Sequence, residues 1–126
     1  TVLMLPKNPD LSAQNIKSFF KEKLNVMIGI VITDTFGRPW RIGQVNVAIG
    51  IAGIPATLSE KGKPDSFGKI MRVTEPAFCD EIAAASGLAI KKSQKTPLVI
   101  FRGLEWKNSD GSAKDILRNQ QEDMFL

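Results

Sequence analysis

Histidine is absent from this sequence and cysteine occurs once, at Cys79. A lone cysteine rules out an internal disulfide and a cysteine-based zinc site, and the lack of histidine removes the commonest general base. Any chemistry must therefore run on carboxylates, hydroxyls, amides, lysines, arginines or a metal held by oxygen. No apolar run approaches the roughly 20 residues that a membrane-spanning helix needs, and the first ten residues lack the basic-then-apolar plan of a signal peptide. A cytoplasmic protein with no membrane partner is expected. Repeats, heptads and low-complexity stretches are missing too, so the chain reads as one compact unit.

What is present is an ordinary globular composition: 126 residues, 43% hydrophobic, enough for one core. The net charge of +4, from 17 basic and 13 acidic residues, suits small anions as well as it suits nucleic acid, and decides nothing alone. Thr1 leads straight into the apolar run Val2 to Leu5. That start reads as a cut, so the segment is expected to belong to a longer protein.

Val2 to Leu5 is a short strand candidate closed by Pro6 and the turn-forming Asn8-Pro9-Asp10. Asp10 or Ser12 can cap the helix that follows, in which Ala13, Ile16, Phe20 and Leu24 recur at three- and four-residue steps to make one apolar face. Val26 to Thr33 is nearly continuously apolar and branched, as in a buried strand, and ends in the polar cluster Thr33-Asp34-Thr35. Such strand ends are frequent ligand sites. From Gln44 to Ile54, branched residues at Val45, Val47, Ile49 and Ile51 alternate with the small Ala48, Gly50 and Ala52. That pattern fits a strand in a tight sheet, or one whose bare face admits another backbone, a second subunit included.

Ser59 to Phe67 holds Lys61-Gly62-Lys63-Pro64-Asp65 and predicts an exposed loop. Lys69 to Val73 offers a strand. Thr74 can cap a helix with Pro76 in its first turn, and Ala77 to Ile90 continues it with Asp80 and Glu81 near its positive end. Pro97 to Arg102 is a further strand candidate. Ser112 can cap a short helix over Ala113 to Leu117, and the closing Met-Phe-Leu is expected to fold back onto the body.

The densest constellation is Thr33-Asp34-Thr35-Phe36-Gly37-Arg38-Pro39-Trp40-Arg41. It gathers a carboxylate, hydroxyls and two guanidinium groups within nine residues. Oxygen ligands suit magnesium or manganese, and paired arginines suit carboxylates and phosphates, so metal-assisted phosphoryl or acyl transfer would use both. A purely structural reading is equally open: Asp34 caps a turn, Arg38 and Arg41 make surface pairs and Trp40 is core. The basic cluster Lys91, Lys92 and Lys95 is able to hold phosphate, but it also describes solvated surface.

Leu5-Pro6, Pro9-Asp10, Asp34 to Arg41, Ala48-Ile49-Gly50, Ala52-Gly53, Gly62, Asp65, Phe67-Gly68, Thr74, Asp80-Glu81, Arg102-Gly103 and Glu122-Asp123-Met124-Phe125 are similar, in order and spacing, to the F420-0:γ-glutamyl ligase family. Residues 1–126 correspond to its C-terminal portion, and Asp34 to Arg41 is the most specific stretch. The resemblance implies an acid–amino-acid ligase that uses GTP and Mg2+ or Mn2+ to join L-glutamate to a deazaflavin precursor, coenzyme F420-0. The acceptor carboxylate is activated as an acyl phosphate. Asp34 and Thr35 match family metal positions, and the loop holding Lys91, Lys92, Ser93, Lys95 and Thr96 occupies the place of nucleotide contact. Arg38 and Arg41 are assigned to substrate carboxylate or phosphate on chemical grounds, which makes Asp34, Arg38 and Arg41 the catalytic candidates.

The resemblance also implies a homodimer, small-molecule substrates and no nucleic-acid partner. Its fold would be α+β, with Val2 to Leu5, Val26 to Thr33 and Pro97 to Arg102 in a mixed sheet covered by two helices, and residues 41–73 forming a β-rich subdomain. Two departures stand out. Lys91-Lys92 replaces a Gly-Gln pair whose glutamine binds metal in the family, and Ser59 replaces a common aspartate. The family's upstream Asp-x-Ser-Asn element is expected outside this chain. A non-catalytic relative that binds an anionic metabolite or nucleotide is the alternative.

Overall fold

The computed structural model describes residues 4–91, 93 and 95–123. They form an α+β arrangement: helix α1 (Pro9–Leu24), strands β1 (Ile30–Arg38) and β2 (Arg41–Ala52), helix α2 (Phe78–Ile90), and two 3-10 turns, Ala113–Ile116 and Gln120–Glu122.

Asn8, rather than Asp10 or Ser12, caps α1. Its side-chain oxygen accepts from the Leu11 N–H at 3.0 Å, and Pro9 takes the first helical position, where its missing N–H costs nothing. The helix stops at Asn25, whose left-handed φ of 51° lets its N–H reach the Lys21 carbonyl. Asp10 is thereby freed for tertiary work.

β1 and β2 pair antiparallel as a long hairpin turned at Pro39-Trp40, with Trp40 at a positive φ of 56°. This corrects the expected strand Val26 to Thr33. The strand begins only at Ile30 and runs through the polar cluster, because Thr33 to Gly37 find partners from Ala48 back to Gln44. The mixed three-strand sheet is corrected as well: among the described residues there is one two-stranded antiparallel sheet. Met4 to Pro6 and Pro97 to Arg102 are irregular, since a strand exists only where a neighbour takes its hydrogen bonds; Val2 and Leu3 lie outside the described residues. Residues 26–29 are irregular too, and Gly29 slips under Ile54 and Trp106, where a Cβ would come within 2.9 Å of each.

The register steps once within the hairpin, Ile32 facing Gly50 and Thr33 facing Ala48, which leaves Ile49 as the extra residue of a bulge. Gly50 points at the start of α1, and a Cβ there would sit 2.4 Å from the Pro9 carbonyl carbon. Gly50 is thus covered by the chain's own helix. Asn46, opposite Thr35, instead meets α2 at Gly87. Ile32 and Thr35 are three apart on β1 and so project from opposite faces, which places the two helices on opposite sides of the hairpin.

The main core lies on the α2 side, where Ile51, Ile54, Ala56, Phe78, Cys79 and Ala113 are buried together, with Val31, Ala48 and Trp106 packed around them. Trp106 ties the irregular C-terminal stretch to this core. Its ring packs 6.1 Å from Phe78 and its indole N–H donates to the Gly53 carbonyl at 2.9 Å, satisfying the polar end of a largely apolar side chain.

Residues 58–76 form a projecting arm. Paired backbone bonds run from Leu58–Pro76 and Glu60–Thr74 to Asp65–Lys69, and one bridge, Pro64 to Ile70, is the only regular pairing within it. The expected strand Lys69 to Val73 is reduced to that bridge. Because the Thr74 carbonyl accepts from Glu60 and that of Pro76 from Leu58, neither residue enters α2. The helix starts after Ala77 without a side-chain cap, and the Cys79 N–H donates to the Ala56 carbonyl instead. Ser112 does cap its turn, in a reciprocal box with Asp115.

Candidate functional site

The stretch from Asp34 to Arg41 is the far half of β1 plus the hairpin turn. Asp34 is exposed, and one of its oxygens accepts from the Thr35 N–H at 2.7 Å. The Thr35 side chain points to the other face, where its hydroxyl donates to the Asn46 side-chain oxygen at 2.9 Å. The Asp34 carboxylate is therefore tied to the Thr35 backbone N–H while the two side chains diverge. Among the described residues, no three carboxylate, cysteine or histidine groups converge as a metal cage.

Arg38 and Arg41 are direct cross-strand partners at the closed end of the hairpin. Neither makes an ion pair among the described residues, where the two salt bridges are Lys61–Glu75 and Lys63–Glu60. Like charges directly opposite one another are unfavourable, so this end of the hairpin is suited to an anion between the two guanidinium groups. Trp40 is 88% exposed, which removes it from the core where the structural reading had placed it.

Lys91 ends α2 at a positive φ of 41°, Lys95 has φ 50°, and Lys91, Ser93 and Lys95 are all exposed, with Thr96 half-buried. Lys92 lies outside the described residues. This loop leaves α2 four residues after Gly87, the residue lying against Asn46 and hence beside Thr35, or about 6 Å further along the helix axis. The fold thus carries the lysine loop toward the Thr35 face of the hairpin and leaves Asp34 on the other.

Two acids act in ways the sequence did not disclose. Asp80 accepts from the Ala48 N–H at 2.9 Å, so it secures β2 as well as standing at a helix N-terminus. Asp10 accepts from the Ile51 N–H at 2.8 Å, from the Ser112 hydroxyl at 2.6 Å and from the Ala113 N–H at 3.2 Å. Partial burial disfavours its charge, but the bonds from Ser112, Ile51 and Ala113, with Lys114 nearby, outweigh that and hold its pKa below the ordinary value. An open cleft of about 690 Å³ lies over this node, lined by Asn8, Asp10, Gln14, Gly53, Ser112 and Lys114 among others. None of the site residues chosen from sequence lines it. The sequence signals that fall on it were the family-similar Pro9-Asp10, Ala48-Ile49 and Ala52-Gly53 and the Ser112 cap, none of which had been assigned to a site.

Cys79 is a packing residue. Its side chain is fully buried, its thiol donates to the Pro55 carbonyl at 3.1 Å, and burial, with Asp80 beside it, pushes its pKa up to about 12. A thiol so held is not a nucleophile. Among the described residues, no helix is long and apolar enough to cross a membrane.

The sequence profile of the F420-0:Gamma-glutamyl ligase family matches residues 1–103. The chain belongs to that family. It is 37% identical over 125 residues to the coenzyme F420:L-glutamate ligase of Methanocaldococcus jannaschii, a match that takes in 98% of this chain and 50% of the relative. A ligase of the same name from Methanococcus maripaludis is 38% identical over 122 residues, covering 96% of this chain and 49% of the relative. The chain spans about half the length of the curated relatives it matches. The Asp34 to Arg41 stretch by which the ligase family was recognisable is thus an exposed hairpin end whose arginines make no ion pair among the described residues, carried on a buried base.

Proposed function

We propose that this chain supplies the C-terminal part of a GTP- and divalent-metal-dependent ligase that joins L-glutamate to coenzyme F420-0, or a related acid, through a γ-glutamyl amide. The observation that carries the reading is the near-complete alignment of this chain with proteins named coenzyme F420:L-glutamate ligase. The hairpin end supports it with an exposed carboxylate and two arginines free of ion pairs.

In this reading Arg38 and Arg41 hold a carboxylate or phosphate at the hairpin turn, and the Lys91 to Thr96 loop neutralises the phosphates of the nucleotide. Asp34, with one oxygen committed to the Thr35 N–H, offers the other to a cation, while the Thr35 hydroxyl, on the opposite face and donating to Asn46, lies outside that ion's shell. One carboxylate is a small part of a six-oxygen shell; phosphate oxygens, water and further polypeptide would complete it. Mg2+ or Mn2+ bound there would supply neutralisation of the phosphate charge. The chain's own residues fix the reacting carboxylate in line with the terminal phosphate, so that its oxygen displaces GDP from the γ-phosphorus to give an acyl phosphate. From this the glutamate amine displaces inorganic phosphate as it forms the amide and gives up a proton. The protein acts in the cytoplasm as a homodimer.

Calorimetry on a full-length protein carrying this chain, with GTP and manganese, is expected to show metal-dependent binding that Asp34→Ala abolishes while thermal stability is unchanged. Unaltered affinity in that variant removes Asp34 from the metal site. A second reading, a relative that binds an anionic metabolite without turnover, is favoured by Lys91-Lys92 standing where the family is expected to carry a metal-binding glutamine. Turnover of glutamate and the deazaflavin precursor separates the two.

A further inference from the structure

The two edges of the hairpin are treated differently. On β2, the outward N–H groups of Ala48 and Ile51 are each taken by a carboxylate, Asp80 from α2 and Asp10 from α1. Residues 48 and 51 both face outward because the bulge at Ile49 lies between them. In an antiparallel pair, residues opposite one another direct their backbone groups alike, so Val31, opposite Ile51, and Thr33, opposite Ala48, also point theirs outward, along the free edge of β1. Both residues are half-buried, and among the described residues neither of these N–H groups has a partner. Two open backbone donors on half-buried residues, beside a capped edge, form a ladder position that an extended polypeptide can occupy.

We propose that the β1 edge at Val31 and Thr33 is a strand-docking edge, occupied by an extended segment of the polypeptide that corresponds to the half of the ligase relatives not matched by this chain. The match takes in 50% of the jannaschii relative, so a stretch about as long as this chain is there to supply the segment. Val26 and Met27, which lead into β1, are exposed at 39% and 65% and extend the edge with apolar surface. Strand addition gains its affinity from main-chain hydrogen bonds and its selectivity from such flanking side chains. A second copy of this chain would have to offer its own β1 edge across a two-fold axis, an outcome the test below separates from docking by the other half. A strand seated here ends next to Asp34 and brings side chains from the other half to the same end of the hairpin. The inference rests on family membership alone; neither nucleotide, metal nor turnover enters its test.

The test mixes the 126-residue chain with the polypeptide spanning the unmatched half of the jannaschii relative, followed by sedimentation and site-resolved amide exchange. The expected result is a 1:1 complex in which exchange at Val31 and Thr33 slows at least about tenfold, while Ala48 and Ile51 are unchanged. Thr33→Pro, which deletes an outward N–H and no bond within the hairpin, is expected to weaken association at least about tenfold, and Thr33→Val to leave it intact. Absence of a complex, or a complex without protection at Val31 and Thr33, overturns the proposal. So does a dimer of the chain alone that already protects them. If Thr33→Pro fails to fold, the exchange result on the unmodified chain decides.

Discussion

The two ends of one hairpin behave as different materials. At its base, Ile51 and Ala52 are buried, Gly50 is closed over by Pro9, and outward backbone donors are held by the carboxylates of two helices. At its tip, Trp40 is 88% exposed, Ile42 is fully exposed and two arginines face each other with no paired acid among the described residues. The base is stabilised by packing and charge-assisted hydrogen bonds. The tip is left exposed and charged at a small cost in stability, which is the usual condition of a surface awaiting a ligand or partner. Changes at the base are therefore expected to unfold the protein, and changes at the tip to leave it folded but altered in function.

The largest effect is expected from Ile51→Ala. It deletes most of a side chain 2% exposed at the centre of the core, and should cost about 3–5 kcal/mol in denaturant unfolding. A loss below about 1 kcal/mol would erase the distinction between base and tip.

Asp10→Ala comes next. It leaves the Ile51 and Ala113 N–H groups and the Ser112 hydroxyl without their acceptor, a loss on the order of 2–3 kcal/mol at neutral pH. Because the folded pKa of Asp10 lies below its ordinary value of 3.8, its stabilisation is complete above that value and disappears as pH falls through the lowered one. The gap between parent and variant should accordingly close in acid. A gap that stayed constant down to the lowest pH at which both fold would show that lost packing, and not charge, was responsible.

Cys79 sharpens the comparison from the alkaline side. An ordinary thiol titrates near 9.0, whereas folding raises this one to about 12, so the unfolded chain ionises first and stability should fall as pH rises across that window. Cys79→Ser flattens part of that slope. In the native protein at neutral pH the thiol should also resist alkylation until unfolding exposes it.

The smallest effect belongs to the tip. Trp40→Ser should change stability by no more than about 0.5 kcal/mol, since a side chain 88% exposed has little buried surface to lose. A much larger loss in thermal unfolding would mean that the tip contributes to the fold after all.

Much of the local structure was legible in the residues. The helix α1 was expected where it stands, although its cap is Asn8 and not Asp10 or Ser12; the alanine-rich run from Phe78 to Ile90 is helical, Ser112 caps its turn, and the branched alternation of Val45 to Ile51 is a strand. Each of these depends on neighbours a few residues away. The family was legible too, because Asp34 to Arg41 is a long and specific stretch. The continuation of β1 through Asp34 and Thr35 was missed. Its polar residues looked like a strand end, although the alternation of Thr33 and Thr35 with Asp34 and Phe36 was itself a two-residue period that could have disclosed it.

What the sequence alone determined was the two helices, the small-and-branched strand β2, the Ser112 turn, and which protein family carries such a hairpin signature. Only the tertiary structure decided which of many acids would matter. Asp10 meets Ser112 across 102 residues of chain, Asp80 meets Ala48 across 32, and one extra residue at Ile49 sets which amides of β2 they can reach. Helix and turn preferences are short-ranged and written in adjacent side chains. The choice of partner for an outward-facing N–H depends on register and on how two helices settle against a sheet, which no local stretch of residues encodes.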